Sequence, residues 1–101
     1  MAIGIRIFGA GWTPELVDRL NSHIRPDLNA PDGLLFHASW AVDGGFAATD
    51  FWESREQFDR FAQERLGPGA AAAGIENPPD VEEFAVHEYY KGGGAAVWGR
   101  G

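Results

Sequence analysis

Leu34-Leu35-Phe36-His37-Ala38-Ser39-Trp40-Ala41-Val42-Asp43-Gly44-Gly45-Phe46-Ala47-Ala48-Thr49-Asp50-Phe51-Trp52 holds two runs of strand-forming residues around an Asp-Gly-Gly break. The first run alternates with period two, Leu34, Phe36, Ala38, Trp40 and Val42 against Leu35, His37, Ser39 and Ala41, as a β-strand requires. Glycine tolerates the positive φ of a tight hairpin turn, so the stretch predicts two antiparallel strands joined at Asp43-Gly44-Gly45.

Upstream, Ala2–Phe8 alternates Ile3, Ile5 and Ile7 against Gly4, Arg6 and Phe8, a further strand. Gly9-Ala10-Gly11 breaks it, and Thr13-Pro14-Glu15 reads as a helix start with cap, proline and first-turn acid. Leu16, Val17, Leu20 and Ile24 share one stripe of that helix, and Pro26 ends it. The residues from Asp27 to Gly33 read as a loop. Downstream, Ser54-Arg55-Glu56-Gln57 fits a capping box, followed by a helix with Phe58, Phe61, Ala62 and Leu66 on one face. Gly67-Pro68-Gly69 is expected to interrupt it, with Ala70–Ala73 restarting a short turn. After Asn77-Pro78-Pro79-Asp80, a last strand is expected over Glu82–Tyr90. The order βαββαβ predicts an α+β, ferredoxin-like fold: a four-stranded antiparallel sheet with two helices on one face. Residues 1–90 form the expected domain. Residues 91–101, with Gly92-Gly93-Gly94 ahead of Ala95, Ala96, Val97 and Trp98, form an expected Gly-rich C-terminal arm that docks on a neighbour or caps a pocket.

The chain has 101 residues, enough for one core and no more. Its net charge is −7 with no basic run, which argues against nucleic acid and anionic membrane as partners. Cysteine is absent, which excludes disulfides, thiolate nucleophiles and Cys-ligated metals. No signal-peptide pattern opens the sequence and no apolar run reaches the ~18 residues of a membrane span, so a cytoplasmic protein is expected. Aromatic residues make up 13% of the chain, more than so small a core needs, which points to a lined cavity as an alternative use.

The run from Ala47 to Phe61, with Trp52-Glu53-Ser54 leading into a charged helix start and Phe58 and Phe61 beyond, resembles the dimeric α/β-barrel superfamily. Within it the similarity is greatest to the antibiotic-biosynthesis-monooxygenase (ABM) type. The resemblance implies a homodimer with facing sheets and a cavity between helices and sheet in each subunit. Haem-degrading members carry an Asn on the first strand, a Trp on the second helix and a His beyond it. Those places fall here on the Ile5–Arg6 region, Phe61 and near Ala71, so haem degradation is not expected. The Asn, Trp and Tyr of cofactor-free quinone-forming members have no residue-by-residue counterpart. An apolar sheet face left bare by the helices gives the same expectation of a partner, itself, by a different route.

His37 and His87 are acid/base candidates because imidazole titrates near neutral pH, and they are placed on opposite edge strands, out of reach of each other. Asp50, in the middle of a strand, either pairs with Arg6 on the neighbouring strand or acts as a base in an apolar pocket. Arg6, Trp40, Trp52, Phe58, Phe61 and Tyr89 are the candidate ligand-pocket residues, the aromatics serving equally well as ordinary core. His23 suits the end of a helix dipole, and three histidines at unrelated spacings make no metal site. The expected function is a small homodimeric, cofactor-independent enzyme of oxygenase, cyclase or isomerase type. It would act on an aromatic or polyketide-like molecule, with no metal and no cofactor. The alternative is a non-catalytic ligand-binding or stress-related dimer of the same fold.

Overall fold

The computed structural model describes residues 2–90, so the Gly-rich arm expected over 91–101 lies outside the described residues. Strand β1 (Ile3–Ala10) leads to helix α1 (Pro14–Ile24), strands β2 (Leu34–Val42) and β3 (Gly45–Trp52), helix α2 (Arg55–Phe61), a π-helical turn (Ala62–Leu66), helix α3 (Gly67–Ala73) and strand β4 (Asp80–Ala85). The sheet is antiparallel in the order β2-β3-β1-β4, the ferredoxin-like arrangement, with the helices on one face.

Local chemistry accounts for each boundary. The Thr13 hydroxyl accepts from Leu16 N at 3.2 Å and Pro14 opens α1, which closes on Arg25 in the left-handed region at φ 51°. The Ser54 hydroxyl accepts from Gln57 N at 3.2 Å, the cap expected from the Ser-x-x-Gln pattern. At the hairpin, Gly44 adopts φ 80°, which only glycine takes without strain.

Two expectations are corrected. Gly67-Pro68-Gly69 does not break the second helix: α2, the π-turn and α3 run on without interruption, with Gly67 at helical φ −60° and ψ −54° and its N–H bonded to Ala62 O, five residues back. Proline cannot donate to the helix ladder, and one wide turn ahead of Pro68 absorbs the mismatch that would kink a regular helix. The last strand occupies Asp80–Ala85 rather than 82–90, because β1 starts at Ile3, the partner of Ala85, and offers no further residue to pair with.

Alternation divides the sheet into two unlike faces. Toward the helices point Ile3, Ile5 and Ile7 with Ala48, Asp50 and Trp52. Ile5 and Trp52 are fully buried against Phe58, whose ring meets the Trp52 indole edge-on at 5.6 Å. A second cluster, Trp12, Leu20, Ile24 and Ala73, joins α1 to α3. On the far face, Phe36, Phe51 and Phe84 form a continuous aromatic row with centroid spacings of 6.4 and 6.0 Å. Phe36 and Trp40 there are 57% and 46% exposed, large apolar groups that the described residues leave uncovered.

Candidate functional site

His37 and Asp50 are direct cross-strand partners on β2 and β3, on the face that the helices cover. Side chains so placed start about 5 Å apart at Cβ, so an imidazole and a carboxylate meet without strain. His37 Nδ1 lies 2.5 Å from Asp50 Oδ1. An ionised carboxylate only accepts, so in this pair Nδ1 carries the hydrogen, and in the neutral ring the lone pair falls to Nε2. The Trp52 indole Nε1–H donates to the other oxygen, Asp50 Oδ2, at 3.3 Å. Asp50 is 3% exposed, yet both of its oxygens are engaged, which offsets the cost of burying the charge. The His37 side chain remains 31% exposed.

Beside this pair lies a cavity of about 90 Å³ between helices and sheet. Its floor is set by the register. One inward row holds His37, Asp50 and Ile5, the next Ser39, Ala48 and Ile7, and the next Ala41, Phe46 and Gly9. The middle row is small on two of its three strands, so space opens there. Leu20 and Ile24 of α1, Phe61 of α2, and Trp12 complete the wall. The cavity therefore sits between the two core clusters, and its polar contributors are few.

Of the residues singled out in the sequence, the structure brings together His37, Asp50, Trp52 and Phe61 around the cavity. Phe58 packs behind Trp52 in the core and lines instead a groove of about 480 Å³ between the second helix and the segment preceding β4. Four residues are elsewhere. Arg6 cannot reach Asp50, because Asp50 pairs across from Ile5 and the next residue along a strand points to the opposite face. Arg6 instead meets Glu82 at 2.6 Å and lies over the Phe84 ring. Trp40 is on the same outer face. His87 and Tyr89 follow the end of β4 and are exposed.

Trp12 escaped the sequence reading. It precedes the Thr13 cap and packs with Val17, four residues into α1, the apolar pair that staples a helix entry. That spacing was the available signal. The indole fits because Gly9 has no Cβ: one placed there would stand 2.1 Å from Trp12 Cδ2.

Among the described residues, no three His, Cys, Asp or Glu side chains gather as a metal site, and no helix is long and apolar enough to cross a membrane.

The architecture recurs in solved structures. SnoaB, a cofactor-independent oxygenase from Streptomyces nogalater, superposes with a TM-score of 0.61 at 15% identity, over 87% of this chain and 94% of that one. Rv0793 from Mycobacterium tuberculosis gives 0.63 at 18% identity, over 90% of this chain and 100% of that one. A dimeric ferredoxin-like protein of unknown function from Thermobifida fusca gives 0.60 at 18%, over 85% and 92%. At such identities the likeness is one of fold. No family model matches the sequence, and no curated protein does. The chain is thus an α+β ferredoxin-like protein whose solved neighbours are of the ABM-like kind.

Proposed function

We propose that the protein is a homodimeric, cofactor-independent enzyme that moves a proton on a small, largely apolar molecule, with His37 as the base and Asp50 as its orienting partner. The observation that carries this reading is the half-buried His37 imidazole held by the buried Asp50 carboxylate at the wall of an apolar cavity. With Nδ1–H held by the carboxylate, Nε2 takes a proton from a C–H or O–H of the ligand, and Asp50 stabilises the imidazolium that results. The ligand becomes a carbanion or enolate. Returning the proton to another atom isomerises it, attack on an internal carbonyl cyclises it, and reaction with dioxygen would oxygenate it, so the three expected reaction types share this first step. The likeness to an oxygenase described as cofactor-independent supports the reading.

An apolar cavity of ~150 Å³ holds benzene. The space of about 90 Å³ is smaller than that and partly open, so it favours a short branched chain, or a single ring that projects from its open side, over a multi-ring polyketide. Dimerisation through the outer face would cover Phe36, Trp40 and Phe84, and the Thermobifida fusca neighbour is described as dimeric. The low polarity of the cavity wall also favours a simpler reading, a ligand-binding dimer with no turnover.

The test is incubation with a panel of small cyclic and branched ketones in D2O, followed by mass spectrometry. Protein-dependent deuterium uptake next to the carbonyl supports proton transfer. Binding without uptake by any member of the panel would leave a carrier and remove the enzyme.

A further inference from the structure

We propose that the Trp12 indole is a ligand-binding donor, and that the molecule taken by the cavity is a small carbonyl compound whose oxygen accepts from Trp12 Nε1–H. This names a ligand class for the cavity of the proposed function and rests on that reading only for the cavity being the binding site.

Trp12 is 7% exposed, and its Nε1–H has no hydrogen-bond partner among the described residues. Nearly all buried polar atoms in folded proteins find a partner, so one that does not calls for an explanation. Poor packing is not the explanation here. The ring lies where only Gly9 leaves room, its backbone N–H bonds Gly9 O at 3.2 Å, and Leu20, Ile24 and Ala73 enclose it. The chain thus invests a glycine and a helix entry in holding an indole whose donor is unused. Trp52, the other indole on the cavity wall, spends its N–H on Asp50.

Trp12 lines the cavity that contains His37 and Asp50. It sits above the Gly9 row, while the pair occupies the Ile5 row, four residues along β1 and so ~13 Å away at the backbone. Between them the floor is Ile7, Ala48 and Ser39. The cavity is therefore a mostly apolar space with the Trp12 indole at one end, a lining suited to a small molecule with one acceptor oxygen and an apolar body. An anion such as a carboxylate would face Asp50 and a wall with no cationic side chain, so a neutral oxygen is the better fit.

The experiment uses cyclohexanone and its near-isostere methylenecyclohexane, titrated into ¹⁵N-labelled protein, with the indole N–H signal of Trp12 assigned by its loss in Trp12→Phe. Cyclohexanone is expected to shift that signal, and to bind about three- to tenfold more tightly than the hydrocarbon, the net value of one hydrogen bond. Trp12→Phe should lose the preference while still binding the hydrocarbon. An unmoved Trp12 signal, an equal affinity for the two probes, binding of neither at millimolar concentration, or a preference that survives in Trp12→Phe would overturn the proposal. The two readings fail separately. An intact ketone preference without deuterium uptake in D2O keeps the Trp12 site and removes proton transfer, whereas uptake with no ketone preference does the reverse.

Discussion

Asp50 stands directly across the hairpin from His37, and the carboxylate is buried while the imidazole remains partly open beside the cavity. Each side chain is ordinary alone. Together they fix the orientation of an imidazole at the wall of the space between helices and sheet.

Removing the carboxylate tests how firmly the pair is built. Asp50→Ala takes the acceptor from the buried Trp52 Nε1–H and the charged partner from the half-buried His37 ring, so a loss of about 1–3 kcal/mol in unfolding free energy is expected. Asp50→Asn keeps one acceptor oxygen and should lose less. Urea unfolding of the two variants checks the order, and an Asp50→Ala protein as stable as the wild type would show the contacts to be idle.

The cavity floor invites the opposite change. Ala48→Leu adds apolar volume to the middle row, where space is available, so a stability change within ~1–3 kcal/mol of wild type is expected together with loss of ligand binding. Calorimetry for unfolding and for binding separates the two effects. Retained affinity would place the ligand elsewhere, the groove between the second helix and the segment preceding β4 being the next place to look.

Gly9→Ala probes how Trp12 is held. A methyl group there cannot coexist with the indole in its present position, so the ring must move and the fold should lose about 1–3 kcal/mol. The Trp12 indole N–H should become more accessible to solvent exchange by NMR. A variant with unchanged stability and an unchanged Trp12 signal would contradict the packing described.

The outer face predicts a mass in solution. Wild-type protein should sediment as a dimer, and Trp40→Asp, which sets a charge among Phe36, Phe51 and Val42, should sediment as a folded monomer. Should the wild type itself run as a monomer, another partner or none covers this face.

Much of this was legible in the residues, and the exceptions have physical causes. The hairpin, the Thr13 and Ser54 caps and the order of elements follow from local turn and cap chemistry, which depends on neighbours in sequence. The site was half legible. His37 and Asp50 were visible as unusual strand residues, but their pairing required the register, and a residue on β1 competed for Asp50 until alternation placed Arg6 on the other face. Leu34 shows the same limit: a bulge between Leu34 and Phe36 sets it on the helix-facing side, against the strict alternation of the run. Gly67-Pro68-Gly69 was misleading because a π-turn, which has no compositional signature, rescues the helix. Trp12 was missed because its value lies in what Gly9 lacks.

The most direct measurement is the rate of deuterium incorporation into a bound ketone in D2O, compared between the wild type and His37→Gln at matched ligand occupancy. The account predicts protein-dependent uptake in the wild type and a fall of about 10²–10⁴-fold in the variant, the usual worth of a positioned base. Equal rates in the two proteins would contradict it, since the proton would then be moving without His37.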